Sequence, residues 1–352
     1  MPEVTNRSTL GHSQRRQDEA LRLRREGMSF YEIARRLGYA NTGAASNARR
    51  AAEQRERIAN GVTTPNRAVR RSVGTRTSSR GIPSVRTFGV EAEFFGITPQ
   101  VAIDALAQVG ITATYEGYTH SVMPNWKIVT DVSVNSQGTG EGRGLELVSP
   151  ILRGTEGLKE MTKALNALRG AGAKVNKTCG LHVHVGMDGL NGSQIMKIVE
   201  MYASNENNIN QLVSESRRGS NHYCKLLSRR ANYQTSNYTQ LSNLTSPLSA
   251  TSNRVNPEIA RLTQGTDRYF TVNVQSYAKY GTVEFRQHQG TLNGGKATTW
   301  VKFLLGLIET SVVADQPTAF ATLSEMADGL NLHGDVKRRL VSRAEALNPT
   351  NN

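Results

Sequence analysis

The chain has 352 residues, of which 37% are hydrophobic and 20% are charged, so it has enough apolar residues for a folded core and room for two or three domains. Its formal charge is +14, and residues 1–85 alone contain 17 arginines and 7 acidic residues, which indicates a polyanionic partner for this part. Two cysteines are too few for a disulfide framework or a cysteine-based zinc site. With no apolar run near the roughly 20 residues of a membrane span and no apolar signal-peptide core, a cytoplasmic protein without a membrane partner is predicted.

The N-terminal segment predicts a small basic helical domain and a linker. Residues 1–14 are predicted to be disordered. Residues 15–58 are predicted to form three short helices, the second of which starts with a capping box of Ser29 and Glu32. Residues 59–85 are rich in Gly, Ser, Thr and Pro and predict a flexible linker.

The 15–58 segment resembles the small helix-turn-helix modules of phage and mobile-element proteins. This resemblance implies a phage-type protein that binds DNA through residues 15–58. Its third helix, with Arg49, Arg50 and Arg55, would enter the groove. The alternative is a basic helical hairpin that only packs on its neighbour.

Residues 86–347 predict the main domain, an α+β fold with a mostly antiparallel or mixed sheet. The predicted strands cover residues 86–95, 111–117, 125–134, 144–150, 179–186, 268–277 and 281–288. The predicted helices cover residues 99–109, 155–169, 192–213, 296–314, 318–330 and 334–347. Residues 214–267 are a polar loop with seven basic and three acidic residues. This loop is predicted either to close over a reaction intermediate or to be an ordinary disordered insertion.

Three glycine-bounded strands each place two reactive side chains on one face of the sheet. The pairs are Glu91 and Glu93 in GVEAEFFG, His182 and His184 in GLHVHVG, and Glu284 and Arg286 in GTVEFRQHQGT. Side chains alternate along a strand, so the two members of each pair point to the same face. Burying these charges without partners would cost several kcal/mol per ion. A divalent metal ion together with a polyphosphate would supply the counter-charge.

Each pair alone has a simpler interpretation. Two carboxylates are usually an exposed strand face, two histidines are a zinc pair or an exposed pair, and a Glu–Arg pair is usually a salt bridge. Zinc is disfavoured because Cys179, three residues before His182, would point to the other face of an ideal strand. Glu146 lies inside the apolar strand LELV and needs a partner, and Asp131 and Ser133 are predicted to share one strand face.

The motifs taken together are far more specific than any one of them. In chain order they are GVEAEF, TDVSV, LELVSPIL, GLHVHVG, RYFTVN and GTVEFRQHQGTL. This set resembles the amidoligase family of ATP-dependent carboxylate–amine ligases, which belong with glutamine synthetase and glutamate–cysteine ligase. The resemblance covers nearly all of residues 86–310. It implies a glutamine-synthetase-like sheet with helices packed on one face, and ATP with two or more Mg2+ or Mn2+ ions as cofactors.

The resemblance also implies the role of each motif residue. The metal ligands would be Glu91, Glu93, Glu146, His182 and Glu284. His184 would face the nucleotide phosphates, and Arg286 would meet the transferred phosphoryl group as a catalytic residue. Asp131 and Ser133 would lie near the substrate, where Asp131 would bind or deprotonate the incoming amine.

One position departs from the pattern of the wider group. Glutamine synthetase carries another arginine two residues before the glutamate of E-F-R, where this chain has Thr282. Either Arg217, Arg218 or Arg268 takes that role, or the role is absent. The implied reaction joins a carboxylate substrate to an amine substrate through an acyl phosphate. Two other functions stay open, namely a DNA-binding or assembly protein with an inactive ligase-like scaffold, and a phosphotransferase on the same fold.

Overall fold

The computed structural model describes residues 6–39, 42–59, 84–117, 121–134, 144–219, 221–227 and 268–349. The chain divides into two compact units, Met1–Thr75 and Arg76–Asn352, and each is described by itself. Nearly all of the linker predicted over residues 59–85, and most of the loop predicted over residues 214–267, lie outside the described residues.

The described part of the N-terminal unit folds into three helices. They are α1 (Asn6–Arg25), α2 (Phe30–Leu37) and α3 (Thr42–Ala59). Leu23 and Ile33 are buried among alanines in a small apolar core. The predicted capping box is confirmed, because the Ser29 side chain accepts from the backbone N–H of Glu32 and the Glu32 carboxylate accepts from that of Ser29. Gly38 ends α2 with a φ of 66°, the left-handed conformation that glycine adopts most easily.

Helix α1 begins earlier than the sequence predicted. Disorder was expected up to residue 14, whereas the helix begins at Asn6. The polar composition that suggested disorder is equally compatible with an exposed helix. Between Asn6 and Gln14, only Gly11 has a very low helix propensity.

The larger unit is built on a mixed sheet. Its strands are β1 (Thr87–Phe94), β2 (Ala113–Tyr115), β3 (Trp126–Thr130), β4 (Leu145–Val148), β5 (Leu152–Arg153), β6 (Gly180–Gly186), β7 (Val272–Asn273) and β8 (Thr282–Gln289). The order across the sheet is β2-β3-β4-β1-β6-β8-β7, and β5 pairs with β1. Only β2 and β3 are parallel among these described pairs. The predicted mixed, mostly antiparallel sheet is therefore confirmed.

The described helices of this unit supply most of the apolar core that packs against the sheet. They are α4 (Pro99–Gln108), α5 (Gly154–Gly170), α6 (Gly192–Ser204), α7 (Glu206–Asn210), α8 (Gln275–Tyr280), α9 (Gly294–Val313), α10 (Leu323–Gly329) and α11 (Gly334–Leu347). Val90, Ala92 and Phe94 alternate with the acidic residues of β1 and join the core formed with α5, α6 and α9. Burying one side chain of this size contributes about 1.5–3 kcal/mol. The apolar face thus anchors the strands, and their other face is available for polar side chains.

Two predicted elements are wrong in part. The helix predicted over residues 192–213 is broken at Asn205, whose side-chain amide donates to the backbone oxygens of Met201 at 2.8 Å and Thr318 at 2.7 Å. The strand predicted over residues 268–277 shrinks to the two residues of β7. There the Asn273 side chain accepts from the backbone N–H of Gln275 at 2.9 Å and turns the chain into α8.

Candidate active site

The sheet face opposite the helices gathers the reactive side chains of four strands. The directly opposed pairs are Glu91 with His182, Glu93 with Glu146, and His184 with Glu284. Directly opposed residues have Cβ atoms about 4.5–5.5 Å apart, so the strand register alone makes these side chains neighbours. The register between β6 and β8 also shifts between Leu181 and Val183, where two steps along β6 face three steps along β8, from Phe285 to His288. The predicted convergence of the three motifs is seen in the structure.

Two overlapping groups of side chains have donor atoms within 4.8 Å of one another. They are Glu91, His182 and Glu284 in the first group, and Glu93, Glu146 and His182 in the second. The His182 ring joins them, because its Nδ1 lies 3.3 Å from Glu91 Oε2 and its Nε2 lies 3.6 Å from Glu93 Oε1. Carboxylate oxygens with an imidazole nitrogen suit hard divalent ions such as Mg2+ and Mn2+. The five residues predicted as metal ligands are therefore together, and their donor atoms fit such ions.

The electrostatics of these groups also fit a cation site. Burial and the charges of Glu91 and Glu93 raise the pKa of Glu146 well above its usual range. Burial would raise the pKa of Glu91 too, but His184 and His182 outweigh it and hold the pKa of Glu91 well below its usual range. Neighbouring like charges thus penalise ionisation of one carboxylate, and a divalent ion would remove that penalty.

Arg286 lies against the first group. Its Nη1 donates to Glu284 Oε1, and its Nε donates to the Tyr223 carbonyl oxygen at 3.3 Å. The other oxygen of Glu284 accepts from the Asn273 amide at 2.7 Å. Burial alone would lower the pKa of Arg286, but Glu284 and Glu91 raise it, so the guanidinium stays charged. The structure therefore places a fixed cation at the edge of the carboxylate cluster.

His184 is oriented by Thr282 and Tyr280. Its Nδ1 lies 3.0 Å from Thr282 Oγ1, and its ring packs edge-to-face on Tyr280. Its Nε2 lies 3.4 Å from Glu91 Oε1 but is buried without a hydrogen-bond partner among the described residues. Burial lowers the pKa of His184, but the charges of Glu91 and Glu284 raise it by more, so the pKa lies above its usual value. A buried ring nitrogen left without a hydrogen bond is compatible with a ligand at this position.

A cleft of about 240 Å3 opens beside His184. Its floor includes Gly89, where a Cβ would meet nothing closer than 3.5 Å, and its walls include Glu91 and Glu146. Apolar side chains line the rest, among them Phe88, Val122, Met123, Pro150, Ile151 and Tyr280. The cleft therefore combines an apolar surface with one charged wall that belongs to the carboxylate cluster.

Lys127 also lines this cleft, and the sequence analysis missed it. It lies on β3, is 3% exposed, and donates from Nζ to the Ser121 carbonyl oxygen at 2.6 Å. Burial lowers its pKa, whereas Glu91 and Glu146 act in the opposite direction. A lysine inside the apolar strand WKIVT was the signal that could have identified it, because lysines are almost never fully buried without a partner.

The predicted substrate pair is positioned differently from expectation. Strand β3 ends at Thr130, so Asp131 and Ser133 do not share a strand face. Instead, Ser133 donates to Asp131 Oδ1 from its backbone N–H at 2.8 Å and from its hydroxyl at 2.7 Å. Aspartate often makes such a local turn, and it overrides the strand alternation on which the expectation rested.

The three arginines named as candidates lie in different places. Arg218 donates from Nε to the Val213 carbonyl oxygen, and none of its contacts among the described residues is to the carboxylate cluster. The Arg268 guanidinium lies 4.9 Å from the centre of the Tyr269 ring. Arg217 is buried close to the second ligand group.

Residues 84–308 match the family model described as "Putative amidoligase enzyme". This match covers more than half of the chain and includes both groups of candidate ligands. It begins at residue 84, so it gives no support to the phage-type module predicted over residues 15–58. No curated protein sequence matches the chain significantly. Among the described helices, none is both long and apolar enough to cross a membrane.

Proposed function

The chain belongs to the amidoligase family, and we propose that it joins a carboxylate to an amine with ATP as the energy source. The γ-phosphoryl group of ATP is transferred to a carboxylate oxygen of the acid substrate, which gives an acyl phosphate and ADP. The nitrogen of an amine then attacks the acyl carbon, and the phosphate leaves as the amide forms. The observation that carries this proposal is the pair of overlapping carboxylate–histidine groups beside an arginine and a cleft on one sheet face.

The chain's own residues would hold two divalent ions. Glu91 and Glu284 would bind one ion and Glu93 and Glu146 the other, and His182 would give its single unprotonated ring nitrogen to one of the two ions. Such ions offset negative charge on phosphoryl oxygens and bring anionic groups together. The apolar face of the sheet fixes the backbone of these strands, so the ligands are held before any substrate binds.

The cleft beside His184 is the proposed site of the nucleotide. Its apolar lining suits the faces of an adenine ring, and its charged wall adjoins the ligand groups. With adenine in the cleft, the phosphates would point past His184 towards the carboxylate cluster. Thr282 would hold the imidazole in place for a phosphate oxygen through its contact with Nδ1.

Arg286 is the proposed contact to the transferred phosphoryl group. A guanidinium presents parallel N–H donors that match phosphoryl oxygens, and it stays charged at every working pH. In the structure this guanidinium is held by Glu284 and by the Tyr223 carbonyl oxygen. It is therefore placed in advance for charge that develops in the transition state.

The test is product profiling of the purified full-length protein with ATP, Mg2+ and a pool of metabolites. The proposal predicts a new amide, detected by mass spectrometry, together with ADP and phosphate in equal amounts. A matched reaction without amines should form no amide and should consume ATP slowly. ATP turnover that does not depend on any amine would indicate a phosphotransferase, and a protein that binds no ATP would indicate an inactive scaffold.

A second proposed role is DNA binding by the N-terminal unit. Residues 1–85 carry 17 of the 43 basic residues and no lysine, which favours a polyanion partner. In the structure, however, two of the three arginines that were expected to enter the DNA groove form bonds with other residues of the same unit. Arg55 donates to Gln17 and Asp18, and Arg49 forms an ion pair with Glu53. Arg35 and Arg36 are exposed on α2 and are better placed for phosphate contacts.

A further inference from the structure

Asn273 contacts a candidate metal ligand from the edge of the sheet. It is the last residue of β7, is 6% exposed, and directly opposes Glu284 in the antiparallel pairing of β7 with β8. Because directly opposed residues place their side chains on the same face, the register itself brings these two side chains together. The Asn273 amide donates from Nδ2 to Glu284 Oε2 at 2.7 Å. A hydrogen bond to an ionised carboxylate is stronger than one between neutral groups, so this contact restrains the Glu284 side chain.

The orientation of the Asn273 amide is set by the chain that follows it. Its Oδ1 accepts from the backbone N–H of Gln275 at 2.9 Å, in the turn that leads into α8. Of the two ends of an amide, only the oxygen can accept this hydrogen, so the amide nitrogen is the atom that faces Glu284. The Ser276 hydroxyl oxygen lies 3.0 Å from the Asn273 carbonyl oxygen and 2.7 Å from that of Thr282, which ties the turn to β8.

The start of this segment is held by a buried carboxylate. Glu206, which is 1% exposed, accepts through one oxygen from the Thr271 hydroxyl at 2.7 Å and from the Leu227 backbone N–H at 2.9 Å. The Thr271 carbonyl oxygen in turn accepts from the backbone N–H of Arg286 at 2.9 Å. Asn273 is therefore anchored on both sides along the chain and is placed in advance against β8.

The two oxygens of the Glu284 carboxylate face different partners. Oε2 accepts from Asn273, whereas Oε1 accepts from Arg286 Nη1. Oε1 also lies 3.6 Å from His182 Nδ1 and 4.0 Å from His184 Nε2, on the side of the first ligand group. Oε1 is therefore the oxygen that Glu284 would give to a divalent ion, and the ion would share it with the guanidinium.

Arg286 is a competitor for the Glu284 carboxylate. Arginine and carboxylate side chains often form a bidentate pair, in which two parallel N–H groups donate to both carboxylate oxygens. Such a pair would commit both oxygens of Glu284 to the guanidinium. The Asn273 amide opposes it, because Oε2 already accepts from a donor on the neighbouring strand. The hydrogen bond from Asn273 thus keeps the Glu284 carboxylate turned so that Oε1 stays within the first ligand group.

We infer that Asn273 is a positioning residue for the first ligand group, and that by holding Oε2 it keeps Glu284 a metal ligand through Oε1. This inference rests on the proposed function, because it takes Glu91 and Glu284 as ligands of one divalent ion. It assigns a role to a residue that acts through Glu284 and touches neither the ion nor the substrates. Removing a hydrogen-bond partner of a metal ligand typically lowers metal affinity by about ten- to a hundredfold.

The experiment measures Mn2+ binding to the full-length protein by electron paramagnetic resonance. Asn273→Ser removes the amide donor but keeps a hydroxyl that can accept from Gln275, as serine does in similar turns. We expect two Mn2+ sites in the wild type. In Asn273→Ser, one site should bind at least about tenfold more weakly, and the other should change by less than about threefold. Glu284→Gln should weaken the same site, and adding Asn273→Ser to Glu284→Gln should have little further effect.

A double-mutant cycle with Arg286→Met tests the competition itself. Removing the guanidinium removes the group that draws Glu284 into a bidentate pair. In the Arg286→Met background, Asn273→Ser should therefore weaken Mn2+ binding by less than about threefold. Losses of the same size in both backgrounds would overturn the inference, because Asn273 would then not act by opposing Arg286.

Ser276→Ala separates positioning from a general effect on the fold. It removes the hydroxyl that ties the same turn to β8 but leaves the Asn273 amide in place. In excess chelator, both Ser276→Ala and Asn273→Ser should melt at a lower temperature than the wild type, but only Asn273→Ser should lose Mn2+ affinity. Asn273→Thr, which has the same hydroxyl and a higher strand propensity, replaces Asn273→Ser if the latter does not fold. Mn2+ affinity that falls equally at both sites would overturn the inference.

Mn2+ binding by the wild type distinguishes two kinds of failure. Two wild-type sites whose affinities are unchanged in Asn273→Ser would overturn the inference and leave the proposed function standing. A wild type without a Mn2+ site would contradict the proposed function itself, and this outcome is recognised before any variant is made.

Discussion

At the scale of single residues, the site follows from strand alternation. Glu91 and Glu93, and likewise His182 and His184, are separated by one apolar residue, so the sequence predicted that each pair would share a face. It did not show that His182 would join both ligand groups, because this depends on which strands lie beside β6 in the sheet. The prediction that Asp131 and Ser133 share a strand face was wrong, because β3 ends at Thr130 and the Asp131 side chain forms a turn with the backbone of Ser133.

Arg286→Lys tests the contact to the phosphoryl group. The variant keeps the charge but replaces two parallel donors by a single ammonium, so ATP-dependent product formation should fall by at least about tenfold. The measurement is the rate of ADP release under conditions that support amide formation. Arg169→Lys, at the exposed end of α5, is the control and should keep the wild-type rate. A near-normal rate in Arg286→Lys would assign the residue to a structural ion pair with Glu284.

Glu93→Gln tests the second ligand group. The charge of Glu93 contributes to the raised pKa of Glu146, so its removal should stabilise the metal-free protein slightly while abolishing turnover. Thermal melting in a chelator and in Mg2+ measures both effects. The wild type should gain more stability from Mg2+ than the variant does. Full turnover by Glu93→Gln in saturating Mg2+ would show that this residue is not a metal ligand.

At the scale of secondary structure, long periodic segments were predictable and short ones were not. The strand around Glu91 and the helix α9 lie close to their predicted bounds. The two-residue β7 and the break at Asn205 were missed, because each depends on one asparagine side chain that bonds to the backbone. A sequence pattern shows that such a residue can cap or turn the chain, but its hydrogen-bond partners are set by tertiary structure.

The packing of β8 on α9 makes a prediction about acid stability. His288 is buried against Trp300, and burial lowers its pKa to about 3. In the unfolded chain, His288 takes up a proton with the ordinary histidine pKa of about 6.5. The stability that comes from keeping His288 neutral is therefore present above pH 6.5 and is lost as the pH falls towards 3.

Protonation of His288 lowers the free energy of unfolding by about 1.4 kcal/mol per pH unit over this range. His288→Asn keeps a donor near the Gln289 carbonyl oxygen but does not titrate. Its free energy of unfolding should fall less steeply between pH 6.5 and pH 4 than that of the wild type, as measured by urea denaturation. His333→Asn, which alters an exposed histidine at the start of α11, is the control. Parallel curves for wild type and His288→Asn would contradict the burial argument.

At the scale of the whole molecule, the uneven distribution of charge is the feature that sequence shows best. The formal charge of +14 is borne largely by residues 1–85, whereas the family match begins at residue 84. Charge indicates the class of partner but not the contact residues. The ion pair of Arg55 with Asp18 became visible only when α1 and α3 were packed together, whereas that of Arg49 with Glu53 is an i,i+4 pair within α3.

Deletion of residues 1–85 tests the proposed DNA role. Duplex DNA affinity of the full-length protein should fall steeply with salt, because phosphate contacts release counterions. The truncated protein should lose this binding but keep metal-dependent ATP binding. Fluorescence titrations at two salt concentrations measure the first effect, and calorimetry measures the second. If the truncated protein bound DNA as well as the intact one, the polar segment over residues 214–267 would become the candidate.

The central claim is that the carboxylate–histidine groups bind ATP through divalent ions. The most direct measurement is calorimetric titration of ATP into the full-length protein, once in excess Mg2+ and once in excess chelator. Without the ions, four carboxylates face the triphosphate, so the affinity should fall by at least about 3 kcal/mol, roughly a hundredfold. Equal ATP affinity in Mg2+ and in chelator would contradict the claim.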